Sequence, residues 1–215
     1  MLTTALLRAF ATLDANEARY ALDEAFNQYP LETVLTRLVQ PVVMRTDELS
    51  ASGQISHGSA RFGYVTLRNR LAALLDAVAM PVSAPLVLLA CAPGEFHELG
   101  PLMLATLWRR ASLRVVYLGA DVAEEALIAE TRARRPTVLC LSAATEAGAR
   151  AVARTAETVA RFDTPRPLFG YGGAVFVRSP HLQGRIRDAY FLGVDAMVAA
   201  RHVIQMLQDG PLTPR

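Results

Sequence analysis

The 215-residue chain is 52% hydrophobic and 20% charged, a composition typical of one or two globular domains. Its formal net charge of +2 is too small to predict nucleic-acid binding by bulk charge. No apolar run reaches the roughly 18 residues that span a bilayer, and the first residues lack the basic segment of a signal peptide. We therefore expect a cytoplasmic protein without membrane contact. Cys91 and Cys140 fall in apolar runs and are expected to be reduced core residues.

Residues 1–79 repeat the apolar spacing of amphipathic helices and contain no strand pattern. Asp14 and Pro30 mark breaks between helices, and Pro41 is expected to bend one of them. Helices of this length can bury the core of a small bundle. The sequence therefore predicts a four-helix bundle as a first domain, 1–79, with helices over residues 2–13, 16–29, 31–49 and 56–77.

Residues 80–215 form a second predicted domain, which begins with a linker containing two prolines. Short apolar runs here alternate with helical patterns, and Asp121 is placed to cap the second of these helices. This alternation predicts an α/β domain with a parallel sheet in flavodoxin-like (Rossmann-like) order. The five strands are predicted at residues 86–91, 113–118, 137–142, 167–170 and 189–191.

Candidate functional residues lie where three of these strands end. His97 follows the first strand, Ser142 closes the third, and Gly172 and Gly173 follow the fourth. Ligands of open parallel sheets bind at this edge. Glu95 can accept a hydrogen bond from one ring nitrogen of His97 and so fix its tautomer. Taken alone, a histidine in a loop is more often a solvated side chain than a ligand, and a Gly-Gly pair is more often a plain turn.

The segment Glu95–Gly100 (EFHELG) resembles the Asp-x-His-x-x-Gly signature of proteins that bind cobalamin with its own base displaced. That family continues with Ser-x-Leu and then Gly-Gly at spacings similar to those found here, although Glu95 replaces Asp and Ala144 replaces Leu. The resemblance implies that His97 is the lower ligand of the cobalt, the metal of the site. It also implies cofactor contacts or supporting contacts from Glu95, Gly100, Ser142, Gly172 and Gly173.

The helical domain is similar to the cap that covers cobalamin in the CarH-type light-dependent regulators, as at Gly53–Ser56. Ser50 stands where that family has Trp, and Ala60–Arg61 stands where it has Glu-His. The smaller side chains favour a cavity above the corrin. Arg61 and Arg68 there can hold the carboxylates of a bilin such as biliverdin, as in the related photocobilins. The alternative, that these arginines form a solvated helix face, is equally open.

Two hypotheses about function follow from the resemblance. The first is a stand-alone, light-sensing regulatory protein that binds cobalamin, adenosylcobalamin above all, and acts on a protein partner. No helix-turn-helix precedes the cap in these residues, so we expect no direct nucleic-acid contact, and whether the chain forms a homodimer stays open. The second is a corrinoid methyl carrier of a methyltransferase system. Such carriers usually show Lys-Asn after the signature glycine, whereas this chain has Pro101-Leu102, which favours a regulator over an enzyme component.

A third possibility is a structural domain that no longer binds a cofactor. His97, Ser142 and the Gly-Gly pair keep the family's order and spacing, which argues against that loss.

Overall fold

The computed structural model describes residues 1–209. The chain divides into two compact units, Met1–Leu74 and the part that begins at Leu75. Helix α5 (His57–Ala77) crosses this division. Among the described residues, no helix is both long enough and apolar enough to cross a membrane.

The first unit has the four predicted helices, with the third interrupted. A π-helical turn over Leu35–Val39 replaces regular α-helix directly before Pro41. Proline has no N–H to donate to the preceding turn, and π-helix occurs mostly as single turns inside α-helices, as it does here. The helices of this unit are α1 (Leu2–Thr12), α2 (Ala15–Gln28), α3 (Leu31–Val34), α4 (Gln40–Ala51) and α5.

The helices of the first unit begin and end where local chemistry requires it. The Asp14 carboxylate, at the predicted break between helices, accepts a hydrogen bond from Glu17 N at 2.9 Å and so caps α2. Pro30 follows directly after the end of α2. The core of the unit is formed by fully or almost fully buried apolar side chains, the largest of which are Leu6, Phe10, Leu22, Leu35, Leu67 and Leu71.

The second unit is the predicted five-stranded parallel sheet. Its strands are β1 (Leu86–Cys91), β2 (Arg114–Tyr117), β3 (Val138–Ser142), β4 (Leu168–Gly172) and β5 (Tyr190–Phe191). They lie in the order β2-β1-β3-β4-β5, the flavodoxin-like order. Gly172 is therefore the last residue of a strand rather than part of the turn after it.

The register of the sheet brings the predicted site residues to one edge. Cys91 pairs with Ser142, and Ser142 pairs with Gly172, so three strands end in the same row. Backbone hydrogen bonds continue this row past the strands, from Ala92 N to Ser142 O at 2.9 Å and from Ala143 N to Gly172 O at 3.0 Å.

Two helical layers cover the sheet. Helices α6 (Leu99–Arg110) and α10 (Ala196–Asp209) pack against each other on one face. Helices α7 (Glu124–Arg134) and α8 (Glu146–Ala160) pack together on the other face, as right-handed crossovers require. A short helix α9 (Val175–Arg178) and a 3₁₀-helix (Pro180–Arg185) follow β4. Trp108, Cys91 and Cys140 are buried in this unit, and both thiols are reduced, as predicted.

Gly63 in α5 provides a test of the helical core. A Cβ at this position would lie 2.5 Å from Cδ2 of the buried Phe10 ring. Gly63→Ala would gain about 1 kcal/mol of helix propensity but should lose about 1–3 kcal/mol to overpacking. We therefore expect a lower free energy of unfolding, measured by urea denaturation of the full chain with circular dichroism.

Gly58→Ala, in the first turn of the same helix, is the matched control. The nearest atom to its added Cβ is Ser56 Oγ at 3.6 Å, an ordinary contact, so this variant should be neutral or stabilised. Equal stabilisation of both variants would contradict the packing described here.

Candidate functional site

The loop after β1 carries a buried carboxylate, Glu95, whose side chain is completely inaccessible to solvent. Its Oε1 atom accepts hydrogen bonds from the backbone N–H groups of Phe96 at 3.0 Å and His97 at 3.1 Å. The same oxygen contacts Nδ1 of the His97 imidazole. The glutamate therefore organises the loop that bears the histidine.

The second oxygen of Glu95 ties this loop to the loop after β3. Oε2 accepts hydrogen bonds from Ala144 N at 2.8 Å, Thr145 N at 2.9 Å and Thr145 Oγ1 at 3.0 Å. Thr145 also caps α8, because its Oγ1 accepts from Gly148 N at 3.1 Å. A Cβ on Gly148 would lie 2.9 Å from Oε2, so a glycine is required where the helix passes the carboxylate.

These contacts determine the ionisation of Glu95. Burial by itself would raise the pKa of the carboxyl group, but the hydrogen bonds from His97 and from the backbone of Ala144 and His97 lower the pKa well below its ordinary value. The carboxylate is therefore ionised and acts only as an acceptor. Nδ1 of His97 must therefore donate to this carboxylate, which distinguishes Nδ1 from Nε2, the other ring nitrogen.

His97 itself faces outward from this anchor. Its side chain is 60% exposed, in contrast to the buried glutamate that holds it. An imidazole that is oriented by a carboxylate through one nitrogen is the arrangement that proteins use for histidine metal ligands.

A second set of buried groups lies behind the same loop. The Tyr117 hydroxyl donates to Glu98 Oε2 at 3.1 Å, and the Cys91 thiol donates to the His97 carbonyl oxygen at 3.8 Å. Burial raises the pKa of Cys91 to about 12 and also raises the pKa of Tyr117, so both groups are protonated donors. The backbone carbonyl of His97 is therefore held by Cys91 of β1, and the side chain of the next residue, Glu98, is held by Tyr117 of β2.

Asp121 does not cap α7, contrary to the prediction. Ala123 is the N-cap residue, without a side-chain hydrogen bond. Asp121 has a positive φ of 50°, and its Oδ1 accepts from Gly94 N at 2.8 Å while its own N–H donates to Glu95 O at 2.9 Å. The sequence spacing suggested a cap, but the aspartate is used instead to join the loop after β2 to the Glu95 loop.

A narrow cleft, of about 70 Å³, opens at the same edge of the sheet, on the face covered by α6 and α10. Four of the predicted site residues line it, namely Gly100, Ser142, Gly172 and Gly173. Among residues 1–209, the Ser142 hydroxyl has no hydrogen-bond partner, so it can bind a ligand in the cleft. The cleft is lined on its α6 and α10 sides by small or apolar residues that include Met103, Leu104, Ala196 and Ala199.

The glycines of the cleft have two different roles. A Cβ on Gly173, which has a φ of +117°, would overlap the Ala143 carbonyl oxygen, and a Cβ on Gly172 would lie 2.7 Å from Gly193 O. The fold itself therefore requires these two glycines. A Cβ on Gly100 would meet no protein atom within 4 Å. Gly100 leaves space that the packing of the protein does not use.

The two predicted site residues of the helical unit have local partners there. Ser50 Oγ lies 3.3 Å from His57 Nδ1, and the Arg61 guanidinium lies 5.1 Å from the centre of the Tyr64 ring, a cation–π contact. Sequence analysis did not anticipate the Ser50 contact, nor the roles of Thr145, Gly148, Tyr117 and Glu98. A threonine directly before a predicted helix, followed by Glu146 in the first turn, is a sequence signal that points to a capping Thr145.

Comparison with known proteins agrees with this geometry. A family model for the B12 binding domain matches residues 85–201, more than half of the chain. The HTH-type transcriptional repressor CarA of Myxococcus xanthus is 29% identical over 130 residues, which is 60% of this chain and 43% of CarA. The chain thus spans less than half the length of that curated relative.

Solved structures share the fold. The monomethylamine corrinoid protein of Methanosarcina barkeri superposes with a TM-score of 0.79 at 17% identity, over 94% of this chain and 96% of that one. The methanol:cobalamin methyltransferase complex of the same organism gives a TM-score of 0.52 at 16% identity, over 97% of this chain and 80% of that one. On the match over residues 85–201, this chain belongs to the B12-binding domain family.

Proposed function

We propose that this chain is a cobalamin-binding regulatory protein that responds to light, with His97 as the lower ligand of cobalt. The observation that carries the proposal is the contact between the buried, ionised Glu95 and Nδ1 of His97. It presents Nε2 of an exposed imidazole in one tautomer. Imidazole nitrogens are suitable ligands for first-row transition metals.

We propose the cleft as the binding site for the other part of the cofactor. The base and ribose of cobalamin, displaced from cobalt, need a slot beside the sheet, and the cleft has backbone walls at Gly172 and Gly173 and an unfilled position at Gly100. Ser142 lines the cleft, and we propose that its hydroxyl hydrogen-bonds a polar group of that tail. Because the cleft measures only about 70 Å³, entry of the tail requires α6 and α10 to separate.

A regulatory role is supported by the similarity of this chain, over 130 residues, to the transcriptional repressor CarA. When bound, an adenosylated cobalamin supplies a cobalt–carbon bond that light can break. The protein itself holds the cobalt through His97 in this proposal. When the ligands of the cobalt change, the protein changes its conformation or its interaction with a partner. We propose that it acts through a protein partner rather than directly on DNA.

The helical unit is the proposed location of a second chromophore. In the caps that this unit resembles, larger or differently charged side chains stand at the positions of Ser50 and Arg61. The exposed guanidinium of Arg61 lies over the ring of Tyr64. A bilin such as biliverdin has carboxylates that arginine can hold. Both cysteines are buried, so we propose that any bilin is held without a covalent bond to Cys91 or Cys140.

A corrinoid methyl carrier is the second candidate function. It is favoured by the structural match to the monomethylamine corrinoid protein, which is similar over nearly the whole of both chains. Against it stands the residue pair after Gly100. Pro101 and Leu102 are buried in the first turn of α6, where the carriers usually have Lys-Asn, so this chain presents no lysine there.

Gly100→Leu tests whether the cleft holds cobalamin. The added side chain enters space where even a Cβ meets no protein atom within 4 Å, so the apoprotein should keep its thermal midpoint. Cobalamin should bind at least about tenfold more weakly, since each 1.4 kcal/mol of lost affinity is a factor of ten. Binding is measured by absorbance titration in the dark.

Gly184→Leu is the matched control for that experiment. Gly184 also has open space at its Cβ, but it lies in the 3₁₀-helix, outside the cleft. The control should bind cobalamin as the unmodified chain does. Unchanged affinity in Gly100→Leu would contradict the assignment of the cleft.

Absorption spectra in the dark and after illumination separate the two candidate functions. The protein is loaded with adenosylcobalamin, with and without biliverdin, and compared with the cofactor alone. For the regulator we expect a spectral change on illumination that also alters elution in size-exclusion chromatography. A protein-bound, red-shifted bilin band is expected if the cap holds biliverdin.

Photolysis identical to that of the cofactor in solution, with unchanged elution, would contradict light sensing. In that outcome, transfer of a methyl group to the protein-bound cobalt by a methyltransferase would favour the carrier.

A further inference from the structure

A groove of about 850 Å³ lies on the face of the sheet opposite the cleft, between α8 and the 3₁₀-helix. One wall is a stripe of α8 residues at helical spacing, and the other begins at Leu182 and continues to Arg187. Small residues give the groove its depth, because Ala149, Ala153 and Gly184 stand where longer side chains would fill it.

The groove concentrates positive charge. Its lining contains one acidic residue, Glu157, and five arginines, Arg150, Arg154, Arg161, Arg185 and Arg187. The excess of four positive charges in one groove is larger than the net charge of +2 on the whole chain. The charge is therefore a local feature and not a consequence of composition.

Most of these arginines are not engaged within the protein. Arg150 and Arg154 make only long ion pairs, each 3.5 Å, with Glu146 and Glu124. In the part of the chain that the structure describes, the guanidinium groups of Arg161, Arg185 and Arg187 make no hydrogen bond or ion pair. Guanidinium groups that converge without partners form a ready site for carboxylates or phosphates.

The shape and lining of the groove favour a peptide over a nucleic acid. No aromatic side chain is present among its lining residues to stack on bases, whereas Ala149, Ala153 and Leu182 form an apolar floor. From residue 149 to residue 161 the helix runs about 18 Å, the length of about five or six extended residues. A concave groove of this length also fits an extended chain better than the convex backbone of a duplex.

We propose that this groove binds a short acidic segment of a partner protein, with its glutamate or aspartate side chains on the arginines and aliphatic side chains on the floor. The groove and the cofactor cleft lie on opposite faces of the sheet, so a partner and cobalamin can be bound together. The assignment rests on the groove alone and stands whichever cofactor chemistry the chain performs.

Fluorescence polarisation with a short, labelled peptide of glutamate and leucine tests the proposal on the full chain. We expect saturable binding, and much weaker binding of the same peptide with glutamine in place of glutamate. The triple variant R161E/R185E/R187E should bind the acidic peptide at least about tenfold more weakly. Gly184→Leu, which fills the groove without a change of charge, should weaken binding as well.

Two controls make the result specific. R19E/R37E/R45E changes the net charge equally but alters only the helical unit, and it should keep the affinity of the unmodified chain within about threefold. Gly100→Leu should bind the peptide normally. Retention of cobalamin binding by the groove variants would show that the second unit is folded.

Three outcomes would overturn the proposal. These are no measurable binding of the acidic peptide, equal loss of affinity in the two triple variants, and unchanged affinity in both R161E/R185E/R187E and Gly184→Leu. Displacement of the peptide by a single-stranded oligothymidylate at concentrations below those of unlabelled peptide would assign the groove to nucleic acid instead.

Discussion

A single buried carboxylate connects the loops from which the site is built. Glu95 has no solvent exposure, and its two oxygens accept six contacts from its own loop and from the loop after β3, while Asp121 N donates to its backbone carbonyl from the loop after β2. A buried charge costs several kcal/mol unless it is fully hydrogen-bonded, so these loops are held together by the need to satisfy it. His97 contributes two of the donors, its backbone N–H and Nδ1, and the orientation of its ring is a consequence of the same requirement.

The sequence was sufficient to predict much of this unit because its strands are nearly uninterrupted apolar runs. Five such runs between helices imply a parallel sheet, and in a parallel sheet His97, Ser142 and Gly172 must come to one edge. The contacts that depend on side-chain direction could not be predicted. Thr145 and Gly148 meet Glu95 only because α8 starts beside the loop after β1, and Asp121 turns toward Gly94 rather than toward α7. Neither fact is encoded by spacing along the chain.

The glycines show the same distinction between fold and function. Gly173 and Gly172 are required by backbone that approaches within van der Waals distance, and Gly63 is required by the Phe10 ring. Gly100 has no such neighbour, and we therefore propose that the cleft beside it binds a ligand. The two sites that we propose in the second unit are therefore the cleft under α6 and α10 and the arginine groove at α8. A protein that senses a cofactor and reports to a partner needs both kinds of surface.

The central claim, that Nε2 of His97 binds cobalt in place of the cofactor's own base, is tested most directly by electron paramagnetic resonance of the cob(II)alamin complex. The protein is labelled with ¹⁵N-histidine and the cofactor is left at natural abundance, with His97→Gln as the control. We expect each cobalt line to be split into a doublet by the spin-half nitrogen of the protein, and the doublet to be lost in His97→Gln. A triplet, the pattern of the cofactor's own ¹⁴N base, would contradict ligation by His97.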